Sequence, residues 1–565
     1  MRTFVEKILN AERGSIVVRE PDYVMSHDNS ARVRFLFERI HGTRVYNPSQ
    51  LVIVLDGKVS GVINELSLEY NSIRDFVEEQ GIGMLVAGSD SHTATAGAFN
   101  TLAVGINKTE TAVLWKTGKM WFRVPETVKI VLKNRLPEGV FAKDLALWIK
   151  GILSKLDVNG LAIEYHGEGV ASLSIDDRMT IANISTEMGV VSSAFPPDDR
   201  LADYFNEPAV RGVWADEEAV YSRFIEIDLA NVFPMVYDTG NNVLQGVEEL
   251  VGLKIQQGLI GACASGRLED LRLVSMILEG KHIANGFQLF VVPASRDIYL
   301  RAVEEGIIDK IAQSGAMVLG SSCGPCLGVG RVASVGNSRF ISTANSQYIG
   351  GTNHSGVEKY IASPATVAMT ALRGELTPMI HFEGTQYKYN IPRVEPVVLG
   401  EYDYRKSNGV WNYGDIDNIS SNQIFSEKLT CRLTLEQVEE IKPYLFKGLD
   451  PNFTCDVKPG DIIIAGENFG CGQLVKHAAT GLVAVGVKLV IAKSVNRDFY
   501  RMAINHGLRI LVDWAVVDAY TSGEQLTIDD ENHLLYLNER AYKLPYVDAE
   551  FQKILEKGGL VNAFS

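Results

Sequence analysis

Short apolar runs that stop at turn-forming residues, interspersed with segments of helical periodicity, restrict this chain to α/β folds built on parallel sheets. The runs are LVIVLDG (51–57), GMLVAGSD (83–90), KIVLKN (129–134), FQLFVVP (287–293) and AMVLGSSC (316–323). Helical patterns stand among them at 68–81, 142–156, 267–281 and 295–315. Within 142–156, Leu145, Trp148, Ile149, Ile152 and Leu153 recur at helical spacing, the mark of a core-facing stripe. A chain of 565 residues exceeds what one hydrophobic core supports, so several domains are expected. The stretch 386–425 is polar, aromatic and aperiodic, and reads as a linker between a region 1–385 and a C-terminal domain 426–565.

Charge and cysteine usage narrow the function classes. Lys and Arg number 54 against 69 Asp and Glu, a net charge of −15, which disfavours nucleic acid and anionic membrane as partners. No apolar stretch reaches the ~20 residues a membrane-spanning helix needs. The N-terminal segment MRTFVEKILNAERGS carries Glu6 and Glu12 and does not read as a signal peptide. Six cysteines make no disulfide framework, so a cytoplasmic protein with free or metal-bound thiols is expected.

Three of those cysteines stand where apolar runs end. GLIGACASGRLEDL places Cys263 between a strand-like run and a helix, and AMVLGSSCGPCLGVG does the same for Cys323 and Cys326. Such positions favour the thiolate form. The CxxC pair by itself suits an iron–sulfur cluster, a zinc ion, a redox dithiol or two structural cysteines. Cys431, Cys455 and Cys471 fit no ligand pattern.

The surrounding motifs resemble the aconitase and isopropylmalate dehydratase superfamily. GSDSHTATAGAFNTLAVGI (88–106), ANISTEMGV (182–190), GACASGRLEDL (261–271), SSCGPCLGVG (321–330), YIASPATVAMTAL (360–372), GENFGCG (466–472) and VIAKSVNRDFYRMAINHGL (490–508) follow in that family's order. The resemblance implies three α/β/α domains around a [4Fe-4S] cluster, followed by a swivelling C-terminal β/α domain in one fused chain. It implies that Cys263, Cys323 and Cys326 hold the cluster and leave one iron open to substrate. It further implies catalytic roles for Asp90, His92, Glu187 and Asp56, and places Asn183 and Asn345 beside the cluster.

The same resemblance exposes losses. Gly57 stands where a histidine should follow Asp56, and Ser346 and Gly351 stand where two carboxylate-clamping arginines are expected. The family's GCGSSREHA is here GCGQLVKHA, so Gln473 replaces the serine base and Val475 replaces an arginine. Bidentate arginine–carboxylate contacts are strong and specific, so their loss removes the grip on a tricarboxylate. A smaller, less charged or partly apolar hydroxy acid is therefore the expected substrate of a hydro-lyase reaction. Lys428 is the expected remaining carboxylate anchor, and Lys476 or His477 the expected stand-in base. Two other classes stay open at this stage: a catalytically inactive or repurposed homologue that binds a metabolite or partner, and an RNA-binding protein.

Overall fold

The computed structural model describes residues 1–26, 29–53, 83–321, 338–345, 357–382, 388–391, 397–400, 402–425, 442–472 and 474–564. Within them the α/β expectation holds. Strands Leu51–Ile53, Tyr23–Ser26, Leu85–Gly88 and Leu102–Gly105 form, in that spatial order, a parallel sheet. Arg223–Asp228, Thr127–Lys133, Ala162–His166 and Ser192–Ala194 form a second. A third, mixed sheet has a parallel centre of Gln288–Val292, Gln257–Gly261, Arg339–Ser342 and Glu358–Ala362. The fourth runs Lys406–Ser407, Val410–Tyr413, Ile462–Ala465, Leu489–Ala492 and Arg509–Val512, parallel except at its first pair. Strands such as Ile462–Ala465 and Leu489–Ala492 are buried at every position, as parallel strands covered on both faces must be.

Two expectations change. The stretch 386–425, read as a linker, contributes Lys406–Ser407 and Val410–Tyr413 to the fourth sheet. Its aromatics do the packing: Trp411 and Tyr413 are fully buried, and Trp411 meets Phe453 at a centroid distance of 4.8 Å. The helical pattern at 295–315 splits into Arg296–Glu304 and Ile307–Gln313, because Gly306 adopts a left-handed φ of 69° between them. The stripe at 142–156 behaves as expected. It forms helix Ala142–Leu153, with Leu145, Trp148, Ile149 and Leu153 buried and Ile152 packed against the same core. The expected helix at 68–81 lies outside the described residues.

One hydrophobic cluster joins the two ends of the chain. Phe4, Val104, Trp115 and Trp121 belong to the same core as Trp411, Phe469, Phe499 and Leu560. The antiparallel pair Ile16–Arg19 and Met120–Arg123 lies at this junction, where Ile16 also bridges Val547.

The first sheet meets the second through a very close backbone approach. The 3-10 helix Ser91–Phe99 follows strand Leu85–Gly88, and its Gly97 lies so near strand Ser192–Ala194 that a Cβ there would stand 1.7 Å from the Ser193 carbonyl oxygen. That oxygen is backbone and cannot rotate away. Gly97→Ala is accordingly expected to cost about 1–3 kcal/mol or more through overpacking. Gly320→Ala, where a Cβ meets nothing within 4 Å, should stay within about 0.5 kcal/mol. Thermal melts of the two variants side by side check this; equal melting temperatures would contradict it.

Candidate active site

The carboxyl ends of parallel strands from two sheets deliver the site. Strand Leu85–Gly88 leads to Asp90, strand Gln257–Gly261 to Cys263, and strand Arg339–Ser342 to Asn345. Crevices at strand carboxyl ends are where α/β sheets place their ligands. Asp90 caps the 3-10 helix Ser91–Phe99: its Oδ1 accepts from the His92 backbone N–H at 2.8 Å and stands 3.0 Å from His92 Nδ1. The carboxylate thus fixes the ring that follows it two residues later. His92 Nε2 faces Asn345 Nδ2 at 3.0 Å. Asn345 Nδ2 also donates to Asn183 Oδ1 at 2.8 Å, and Asn183 Nδ2 donates to Thr95 Oγ1 at 2.9 Å. Asn183 sits on helix Ile175–Ser185, which begins with a capping box of Ser174 and Asp177.

Lys143, buried on helix Ala142–Leu153, donates to Asn345 Oδ1 at 3.3 Å. An ammonium only donates, so it decides which end of that amide turns toward His92 and Asn183. Burial pulls the Lys143 amine down to about 8, opposed chiefly by the charge of Glu187. Glu187 lies just past helix Ile175–Ser185, in the turn Thr186–Met188, and its Oε2 accepts from Lys150 Nζ at 2.7 Å. Lys143 and Lys150, one heptad apart, carry two ammonium groups into the site from a single helix.

Cys263 occupies a strained turn. Gly261 has φ 120°, where a Cβ would stand 1.9 Å from the Val292 oxygen, and Ala262 has φ 55°. Arg267 clasps the turn from behind, with Nη2 donating to the Cys263 carbonyl at 3.0 Å and Nη1 to Thr180 Oγ1 at 2.8 Å. Desolvation pushes the Cys263 thiol up, but the His92 ring, by charge and hydrogen bond, and the Arg267 guanidinium hold it below the usual thiol range. The reciprocal effect lifts His92 well above the ordinary imidazole range: burial opposes it, and the Cys263 thiolate and the Asp90 carboxylate outweigh burial. A solvent-accessible sulfur with thiolate character suits a metal ligand. Cys471 contrasts with it: its thiol donates to the Asn418 carbonyl at 3.5 Å, and burial pushes it up to about 11.

The structure therefore brings together Asp90, His92, Asn183, Asn345 and Cys263, with Glu187 close enough for its charge to act on Lys143. Lys476 and His477 lie on the first turn of helix Val475–Ala484. Lys476 is exposed, and His477 stacks on Phe425 at 5.5 Å. Neither makes a hydrogen bond to the assembled residues. Asp56, Cys323, Cys326, Lys428 and Gln473 lie outside the described residues, as do Gly57, Ser346 and Gly351. Among the described residues no group of three or more His, Cys, Asp or Glu has metal-binding geometry; they include one of the three expected cysteine ligands. No helix among them is long and apolar enough to cross a membrane.

Comparison with known proteins bears on this arrangement. The model of the Aconitase family (aconitate hydratase) matches residues 27–248 and 237–374, and that of the Aconitase C-terminal domain matches 402–512. The 3-isopropylmalate dehydratase large subunit 1 of Methanopyrus kandleri is 36% identical over 66% of this chain and 98% of its own length. The mitochondrial homoaconitase of Debaryomyces hansenii is 29% identical over 97% of this chain and 91% of its own length. The 3-isopropylmalate dehydratase large subunit 2 of Archaeoglobus fulgidus is 35% identical over 66% of this chain and 97% of its own.

Proposed function

The chain belongs to the aconitase family and is a hydro-lyase of that superfamily, and from this premise we propose that it is a [4Fe-4S]-dependent dehydratase, hydratase or isomerase for a small hydroxy-carboxylic acid other than citrate or isopropylmalate. The observation that carries this reading is the convergence of Asp90, His92, Asn183 and Asn345 on the turn of Cys263, with the buried Glu187 carboxylate beside them. Polar residues of this kind have no packing reason to meet in one cleft.

Cys263, Cys323 and Cys326 would hold the cluster, and a cubane with three protein ligands supplies Lewis acidity at its open iron toward a substrate hydroxyl and carboxylate. The chain's own residues do the rest. Asp90 orients the His92 ring, and the pair holds and passes a proton at the imidazole. Glu187 exchanges a proton with the substrate hydroxyl. Asn183 and Asn345 supply amide groups that position oxygen atoms near Cys263. Gln473, an amide, cannot be the base that removes hydrogen beside a carboxylate, and Lys476 or His477 is the candidate for that role.

Specificity follows from the missing clamps. Ser346, Gly351 and Val475 offer no guanidinium, so the site is suited to fewer carboxylates. Anaerobically purified protein, assayed against a panel of 2- and 3-hydroxy acids, should release or add water with a mono- or dicarboxylate of small size. Citrate and isopropylmalate should be poorer substrates. No water loss from any acid with the cluster intact would overturn the enzymatic reading, and efficient turnover of isopropylmalate would overturn the substrate class.

A further inference from the structure

The proposed chemistry leaves the Lys150 ammonium unused. Lys150 Nζ lies 2.7 Å from Glu187 Oε2, and only 10% of the lysine side chain and 1% of the glutamate side chain are exposed. The same ammonium stands 4.8 Å from the centroid of the Tyr237 ring, on strand Met235–Asp238, which packs against helix Ala142–Leu153. Burial alone drives a carboxyl group toward its neutral form, and a cation at contact distance reverses that tendency. The aromatic face attracts the ammonium in turn.

We infer that Lys150 is a positioning residue for Glu187, holding its buried carboxylate ionised and fixing one of its two oxygens. The consequence for catalysis rests on the reading above, in which Glu187 exchanges a proton with the substrate hydroxyl. In the hydration direction Glu187 takes the proton from water and must be unprotonated at the working pH, so the Lys150 pair sets the acidic edge of hydration.

Among the described residues, the other charged groups nearby are engaged in contacts of their own. Lys143, on the same helix, is committed to Asn345 Oδ1 at 3.3 Å and loses charge easily, with its amine at about 8. Arg267 and Cys263 both act on Lys143 by charge. Arg267 spends its guanidinium on Thr180 and the Cys263 and Ala264 carbonyls. The turn carrying Glu187 also packs on the 3-10 helix headed by Asp90 and His92, where the carboxylate and the ring are paired with each other. Asp238, next to Tyr237, carries the same charge as Glu187 and cannot stabilise it.

The sign follows directly. An opposite charge at contact lowers a carboxyl pKa by about 1–3 units. Lys150→Met removes that charge and keeps the burial, so Glu187 should protonate about 1–3 pH units higher, and the acidic limb of kcat/KM for hydration should move up with it. Lys150→Arg retains the cation and should titrate as the unaltered protein does.

The test is an infrared titration of the full-length protein, with the Glu187 carboxyl band assigned by its loss in Glu187→Gln. Expected is a protonated-carboxyl band in Lys150→Met at a pH where the unaltered protein and Lys150→Arg show none, and its disappearance in Lys150→Met/Glu187→Gln. Lys150→Gln, which keeps a polar end of similar length, repeats the measurement if the methionine variant fails to fold. Identical titrations with and without the lysine would overturn the inference. The infrared readout needs no turnover, so it separates the two ideas: a shifted band with an unmoved pH–rate profile would sustain the ion pair and sink the catalytic role of Glu187.

Discussion

Cys263→Ser protein, purified without oxygen, should be colourless, should hold almost no iron or sulfide, and should show no turnover of any hydroxy acid. The reason lies in the ionisation of the donor. The cysteine is held below the usual thiol range by His92 and Arg267, against the desolvation that pushes it up, and a thiolate is the form that ligates iron. A serine hydroxyl in the same turn stays protonated under those influences and offers a hard, neutral oxygen. The fold itself should survive, because the side chain is exposed and the turn is fixed by Gly261, Ala262 and Arg267 rather than by the sulfur. Comparison of the two apoproteins should show stabilities within about 0.5 kcal/mol. Cys455→Ser and Cys471→Ser serve as controls and should keep full colour: Cys455 is an exposed free thiol, and the Cys471 thiol is pushed up to about 11 and bonded to a backbone carbonyl. Retained iron in Cys263→Ser, or zinc in place of iron in the unaltered protein, would overturn the cluster assignment.

That site was partly legible in the sequence, and the legible part has a common cause. Asp90 and Cys263 each stand at the end of an apolar run, and the end of a parallel strand is a place a chain pattern can mark; Asn345 was reached only through family resemblance, because its strand Arg339–Ser342 is short and half polar. Asn183 and Glu187 were reached only through family resemblance, since helix Ile175–Ser185 has little amphipathic contrast and is buried almost throughout. Lys143 and Lys150 were missed altogether. Their spacing of seven residues on a helix otherwise given to burial was the available signal, because a lysine on the inner side of such a helix needs a partner. The polar stretch 386–425 misled for the opposite reason. Its glycines, asparagines and aspartates mark turns, while the strand Val410–Tyr413 inside it is only four residues long and buries three of them. A strand that short carries too little alternation to be read against its surroundings.

Arg501→Met should lower stability by about 3–5 kcal/mol, the cost of leaving a buried charge without its partner. Arg501 Nε donates to Glu110 Oε2 at 2.9 Å, with 11% of one side chain and none of the other exposed, and the guanidinium lies 4.4 Å from the centroid of Trp121. Glu110 cannot turn to water, because the same oxygen accepts from the Asn107 backbone N–H and closes the capping box of helix Lys108–Thr117. The pair joins helix Arg497–Asn505, near the end of the chain, to a helix near its beginning. Arg497, one turn earlier, donates to the Gly105 carbonyl at 2.8 Å, directly behind the turn that carries Asp90. Loss of the arginine therefore loosens the seat of the C-terminal sheet against the strand that leads to the site, and turnover should fall along with the melting temperature. Glu110→Gln keeps an acceptor for Asn107 while removing the charge, so Arg501→Met/Glu110→Gln should recover most of the lost stability. Melting curves of the two single variants and the double variant decide the matter. A double variant no more stable than Arg501→Met would mean that the guanidinium acts by packing on Trp121, and a single variant that melts with the unaltered protein would remove the pair from the account of how the two ends of the chain are held together.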